Sequence, residues 1–287
     1  MDYLQQALEK ARRQRTAGSE PSGGAGEQTA PAGAWPRPRL VPSAAAVAQT
    51  GAGPAPRGAI SLAWHGLSPI DPDPARLQRL RVVSREGGRA AAPWDLLRAR
   101  LAEEARRNGW RRIALVSAAA GTGRTTALAN LAFSFARAPG VRLIALDLDL
   151  RAPGLGRLLG QSPVTGMASG LAEVLEGRAP FAAAARRFGG GVAFGLAASG
   201  RASPADLLGA PSAGQALAAM DLAYAPDLIL MDAAPLDAGL EAEAALALAD
   251  AALILVEANR ATVQEVDATE RAVAAITAVA GLVLTKA

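Results

Sequence analysis

Cysteine is absent from this 287-residue sequence, and histidine occurs once, at position 65. A disulfide framework, a thiolate zinc or iron–sulfur site and a multi-histidine metal centre are thereby excluded. Any metal must be held by oxygen. Aromatic residues make up only 4% of the chain while hydrophobic residues make up 51%, so the core must be built mainly from Ala and Leu. That composition suits helix-rich α/β packing and leaves ample material for a core. No hydrophobic run reaches the length of a membrane span: the apolar stretch near the C-terminus is broken at Asp250, and the N-terminus lacks the apolar segment of a signal peptide. The expectation is a cytosolic protein.

The net charge of +4 is unevenly placed. Residues 1–112 carry 18 Lys/Arg against 10 Asp/Glu, and residues 113–287 carry 12 against 16. A basic N-terminal part suits an anionic membrane surface, an acidic partner, nucleic acid, or simple solvation. Residues 3–15 place Leu4, Ala7, Leu8 and Ala11 on one helical face, so 1–15 reads as a short amphipathic docking helix. It is too short to be stable alone. From 16 to 70 the chain is dominated by Gly, Ala, Pro and Ser, which predicts a disordered linker. Residues 71–111 form a helical extension, with Trp94, Leu97 and Leu101 on one side of a helix over 93–107. His65 falls before any regular element in this reading, and no catalytic role is expected of it.

Residues 112–287 alternate strand and helix, with strands that are nearly all apolar, the mark of a parallel sheet buried on both faces. Strands are expected at 112–116, 142–146, 192–196, 228–231, 251–256 and 282–284, and helices at 125–137, 168–176, 212–220, 240–248 and 262–279. The fold class is α/β, a doubly wound parallel sheet of the P-loop nucleotide-binding type.

Three motifs carry chemistry. Ser117-Ala118-Ala119-Ala120-Gly121-Thr122-Gly123-Arg124-Thr125-Thr126 lies between the first strand and its helix. Glycines there let the backbone wrap phosphates, the helix N-terminus favours an anion, and a hydroxyl residue can bind Mg²⁺. Ala118 stands where the pattern GxxxxGK[ST] has its first glycine, and Arg124 stands where it has lysine. Asp147-Leu148-Asp149-Leu150-Arg151 follows the second strand, and Asp232-Ala233-Ala234-Pro235 follows the fourth. Open parallel sheets bind ligands at the carboxyl ends of their strands, so both acidic motifs are delivered to the edge of the loop. Such a cluster supports Mg²⁺-dependent phosphoryl transfer, and needs neither cysteine nor histidine.

With these motifs in place the chain resembles, over residues 93–287, the cytoplasmic P-loop proteins of capsule and exopolysaccharide export, bacterial tyrosine kinases of the polysaccharide-copolymerase type. Residues 117–126 are similar to their Walker A, 147–151 to their DxDxR and 228–235 to their Walker B. Gly170-Leu171-Ala172-Glu173-Val174-Leu175-Glu176-Gly177 is a weaker echo. The resemblance implies ATP and Mg²⁺ as cofactors, with Ala120, Gly121, Thr122, Gly123, Arg124, Thr125 and Thr126 around the phosphates and Thr285 near the adenine. It implies Thr125, Asp147 and Asp232 as metal-binding residues, and Arg124, Asp147, Asp149 and Asp232 as the catalytic group. It also implies docking on the cytoplasmic end of a membrane chain-length regulator, at the inner face of the plasma membrane, and self-association.

The sequence departs from this family at several places. It ends at Thr285-Lys286-Ala287 with no tyrosine cluster, and its two tyrosines are Tyr3 and Tyr224. The family's oligomerising pattern ExxRxxR falls near Ala92, Asp95 and Arg98, keeping only the last arginine. Arginine at 124 is always charged and can grip phosphate through two N–H groups, but it is bulkier than the lysine ammonium. Binding is therefore a firmer expectation than turnover. A non-catalytic regulatory subunit of an export complex and a partitioning-type ATPase remain alternatives; against the latter, Ala119 stands where partitioning ATPases carry a signature lysine, and nucleic acid is not an expected partner.

Overall fold

A computed structural model describes residues 57–161, 170–198 and 203–286. The expected docking helix at 1–15 and most of the expected linker lie outside the described residues.

The domain is organised around a seven-stranded sheet: β1 (Arg112–Ser117), β2 (Leu143–Asp147), β3 (Ala185–Phe188), β4 (Val192–Gly195), β5 (Leu228–Asp232), β6 (Ala251–Glu257) and β7 (Ala278–Thr285). Their order is β3-β4-β2-β5-β1-β6-β7, and every pairing is parallel except β3 with β4. Strand β1 has all six residues buried. Successive side chains of a strand point to opposite faces, so Ala114 and Val116 join one core layer while Ile113 and Leu115 join the other. This is why the expected strands read as unbroken apolar runs rather than alternating ones. Among the described residues no helix is long and apolar enough to cross a membrane.

Strand positions agree with the sequence reading to within a residue or two, except at the C-terminal end. There the helix expected over 262–279 stops at Ala274, and β7 begins at Ala278 rather than at 282. Alanine-rich sequence favours helix locally, but Ala278 and Val279 instead pair with Ala251 and Ala252 of β6. The Thr277 hydroxyl also donates to the Ala249 carbonyl at 2.9 Å, so long-range pairing overrides local propensity. The sequence reading also misses β3. Ala185 to Phe188 has no apolar run, and its only signal is the glycine triplet 189–191, which turns the chain into β4 with Gly189 at φ 58°.

The linker expected over 16–70 is corrected at its C-terminal end. Residues Arg57–His65 form a helix, α1, with Ile60, Trp64 and the following Leu67 buried. The Trp64 indole donates to the Tyr224 carbonyl at 2.7 Å, and its ring meets the Tyr224 ring edge-on. The spacing of Ile60, Trp64 and Leu67 is helical, but glycine, proline and alanine around it mask the pattern. His65 therefore ends a helix; it is exposed, bonded to the Ser61 carbonyl, and takes no part in the site. The chain then runs along β3, where Ile70 N–H donates to the Arg187 carbonyl and Arg187 N–H donates to the Ser68 carbonyl, each at 2.8 Å.

Helix α2 (Pro74–Arg79) follows, capped by Asp73, and helix α3 (Ala92–Asn108) then leads to β1. Helix α4 (Arg124–Ala136) carries the glycine loop at its N-terminus and is held from the side by this extension. Buried Asn130 of α4 accepts from the N–H groups of Val83 and Ser84 and from the Ser84 hydroxyl, at 2.9, 3.1 and 3.0 Å. Its amide donates to the Arg81 carbonyl at 3.0 Å. Removing this side chain strands buried donors, so Asn130→Ala is expected to cost about 3 kcal/mol in urea denaturation. Leu62→Ala, at a position 74% exposed, should stay within about 0.5 kcal/mol of the parent.

Candidate functional site

Strand β1 ends at Ser117, and the chain turns through residues 118–123 before α4 starts at Arg124. Gly121 and Gly123 hold φ of 81° and 99°, conformations that side-chain-bearing residues rarely adopt. They let the loop fold over the start of α4, whose first N–H groups have no partner within the helix. Three hydroxyls fix the loop. Ser117 and Thr122 each donate to the Ala119 carbonyl, at 2.7 and 3.0 Å, and Thr285 donates to the Thr122 carbonyl at 2.8 Å. Ala118, Ala119, Ala120 and Gly121 remain exposed at the rim.

Beneath the loop two carboxylates lie side by side, because Asp147 and Asp232 are register partners at the ends of β2 and β5. Asp232 Oδ2 accepts from the Thr125 hydroxyl at 2.5 Å. Asp147 Oδ2 accepts from Leu155 N–H at 2.9 Å, where a short helix, α5 (Leu155–Leu158), begins. The other oxygens, Asp147 Oδ1 and Asp232 Oδ1, are buried without a hydrogen-bond partner. Gly154 comes so close that a Cβ there would stand 3.2 Å from Thr125 Oγ1.

Asp149 Oδ2 accepts from Arg124 Nη2 at 3.1 Å, and its Oδ1 accepts from Ala152 N–H at 3.1 Å. Arg124 Nη1 donates to Ser117 Oγ at 2.8 Å. The last member of the 147–151 motif, Arg151, donates from its backbone N–H and from Nε to the buried carboxylate of Glu241, at 3.2 and 3.0 Å. Glu241 lies in the first turn of α6 (Leu240–Ala247), the helix that follows β5. Gly154 and Glu241 are members that sequence reasoning misses, and Ser117, read there as part of the loop motif, is not recognised as a partner of Arg124. Only Glu241 has a signal, an acid opening the helix that follows the second acidic motif.

The residues expected at the site gather at one end of the sheet: Asp147, Asp232 and Thr285 end their strands, Asp149 follows β2, Ala120 to Gly123 lie on the loop after β1, and Arg124, Thr125 and Thr126 form the first turn of α4. Thr126 is half-buried in the first turn of α4. Burial raises the Asp232 carboxyl to about 6, against the opposing hydrogen bond from Thr125 and the charge of Arg124. Burial, and then the neighbouring charge of Asp232, hold Asp147 well above the usual carboxylate range.

Two unpaired carboxylate oxygens and the Thr125 hydroxyl make a hard, all-oxygen donor set that fits Mg²⁺. Among the described residues no three acidic or histidine side chains converge to hold a metal alone.

No protein-family profile and no curated protein sequence matches the chain. Solved structures do. The chimerical protein CapA2B2 superposes with a TM-score of 0.62 at 17% identity, over 77% of this chain and 94% of that one. The BceF tyrosine kinase domain gives 0.58 at 21%, over 81% and 98%. The VpsO kinase domain gives 0.56 at 20%, over 67% and 97%. The chain thus shares its fold with the BceF and VpsO kinase domains. At these identities the likeness is one of fold, and it spans nearly the whole of each of the three.

The raised carboxyls set a pH dependence. As pH falls from about 7 to 5, native Asp232 takes up a proton that the unfolded chain does not yet bind, so stability rises over that window. Asp232→Asn, neutral throughout, should lose the share of this rise that Asp232 contributes, so thermal melts of the two proteins across the same buffers should show the parent gaining stability relative to the variant as pH falls from about 7 to 5.

Proposed function

We propose that the chain is a Mg-ATP-binding protein of exopolysaccharide or capsule biosynthesis and export, docked on the cytoplasmic end of a membrane chain-length regulator at the inner face of the plasma membrane. The observation that carries the nucleotide reading is the Thr125–Asp232 contact at 2.5 Å beside Asp147, under a glycine loop at a helix N-terminus. The export context rests on the kinase-domain fold together with the DxDxR order of Asp147, Asp149 and Arg151.

In this reading backbone N–H groups from Ala120 to Thr126 and the start of α4 hold the phosphates, and the Arg124 guanidinium neutralises them. Thr125, Asp147 and Asp232 hold Mg²⁺, which supplies positive charge to the phosphate oxygens when bound. Thr285 ties the last strand to the loop and borders the base. Asp149 steers Arg124, and the Arg151–Glu241 pair fixes the end of the 147–151 motif against α6.

Two observations bear on a kinase activity. Tyr224 is 8% exposed and packs against Trp64 and Phe181, so the folded domain does not offer it as a phosphate acceptor. Asp95 and Arg98, at the positions matching the family's oligomerising pattern, are engaged within the chain: both bond to Ser134, and Asp95 also to Arg137. A second reading, a nucleotide-binding regulatory subunit without turnover, is favoured by the engagement of Arg124 with Asp149 and Ser117.

Fluorescent ATP titrated with and without Mg²⁺ tests the first claim. Binding should require Mg²⁺ and weaken about tenfold or more in Thr125→Ala and Asp147→Asn, the loss expected from one charge-assisted contact. Equal binding by parent and variants, or none at all, would remove the site. Turnover measured on the parent and on Arg124→Lys separates the two readings: a large gain for lysine marks a natural loop tuned for binding.

A further inference from the structure

Among the described residues, Arg124 is the basic side chain that reaches into the carboxylate cluster, and it points inward. Its side chain is 7% exposed, with Nη2 at 3.1 Å from Asp149 Oδ2, Nη1 at 2.8 Å from Ser117 Oγ and Nε at 3.8 Å from Asp232 Oδ1. We propose that Arg124 is a latch: in the nucleotide-free protein its guanidinium stands in for the divalent cation at the acidic cluster, and phosphate draws it out so that the metal can enter. This inference rests on the Mg-ATP reading and adds to it a mechanism of regulation, a built-in competitor for the metal.

The geometry carries the point in three steps. First, the Arg124 guanidinium already sets a positive charge 3.8 Å from Asp232 Oδ1, so a second cation entering the cluster meets its repulsion and the two compete for the same acids. Second, the closed pairing is incomplete. Arg124 Nε and Asp232 Oδ1 face each other beyond hydrogen-bond range, and both are buried without a hydrogen-bond partner. The contact with Asp232 thus neutralises charge without a hydrogen bond, and only the two contacts at Ser117 and Asp149 hold the fork against a better anion. Third, only a planar fork can do this. Arg124 reaches the Ser117 hydroxyl with one terminal nitrogen and Asp149 with the other, whereas the ammonium of a lysine is a single point.

The consequence is that metal and nucleotide bind as a pair. Metal alone meets an arginine already paired with the acids. Nucleotide alone must pull that arginine away and leave Asp147 and Asp232 buried side by side without a counter-charge. Together they exchange partners: Arg124 moves to the phosphates and the metal takes the vacated carboxylates.

The test uses the full chain, Mn²⁺ followed by electron paramagnetic resonance, and fluorescent ATP with Mg²⁺. Arg124→Gln should bind Mn²⁺ alone about tenfold more tightly than the parent yet bind nucleotide about tenfold less tightly, because it loses the competitor and the phosphate ligand together. Asp149→Asn, which frees the fork, should bind Mg-nucleotide more tightly than the parent. Ser117→Ala removes the other anchor without changing charge and should act in the same direction, which decides the matter if circular dichroism shows either of the other variants misfolded. Unchanged or weaker Mn²⁺ binding by Arg124→Gln, or unchanged or weaker nucleotide binding by Asp149→Asn and Ser117→Ala, overturns the latch while leaving the nucleotide site standing. Failure of the parent, these variants and Arg124→Lys alike to bind nucleotide overturns the site reading and the latch with it.

Discussion

Two carboxylates held side by side in the interior are the constraint on which this structure depends. Parallel pairing puts Asp147 opposite Asp232, and the all-apolar strands behind them allow neither to retreat. Burying one unpaired carboxylate is expensive, and burying two adjacent ones adds repulsion. The fold answers with what lies within reach: a hydroxyl from Thr125, a backbone N–H from Leu155 and the nearby charge of Arg124. One oxygen on each acid is still left without a partner. These two oxygens have the donor chemistry that a hard cation would use.

The position of α4 follows from the same constraint. It delivers Arg124 and Thr125 to the acids, so a small rotation of the helix would break both contacts. The extension before β1 restrains it along its length. Asn130 clasps residues 81–84, while Ser134 and Arg137 near the helix C-terminus bond to Asp95 of α3. The same extension covers the outer edge of β3 through Ser68 and Ile70, so a strand edge that would otherwise be free for pairing is occupied by the chain itself. Residues 57–111 thus belong to the working domain, with the glycine loop at one end of the helix they hold.

What the sequence shows of this and what it hides have separate causes. Strands β1, β2, β5 and β6 are legible because burial on both faces leaves an unbroken apolar run, and the loop is legible because its glycines have a conformational reason to be there. The short β3 and the early start of β7 are hidden, since pairing across the sheet decides them and alanine carries no local preference for strand. Helix α1 is hidden for a different reason: Ile60, Trp64 and Leu67 gain their meaning only from the far side of the chain, where the Tyr224 carbonyl and ring receive Trp64. Around the site, the acids are legible as strand ends, but the pairing of Ser117 with Arg124 and of Glu241 with Arg151 is not, because no spacing reveals the direction of an arginine side chain.

That direction is what gives arginine at 124 its significance. A lysine at this position has one cationic centre, which must choose between the acids and the phosphates. An arginine has a fork wide enough to rest on Ser117 and Asp149 while its Nε remains near Asp232. It can neutralise the empty cluster without giving up its reach toward a ligand. The substitution that weakens the likeness to a phosphate-binding loop therefore also stabilises the loop's ligand-free state. On the proposed reading each binding event must first displace an internal pair. Rapid turnover would require that pair to re-form and break with every cycle, with two good partners for the guanidinium to leave each time.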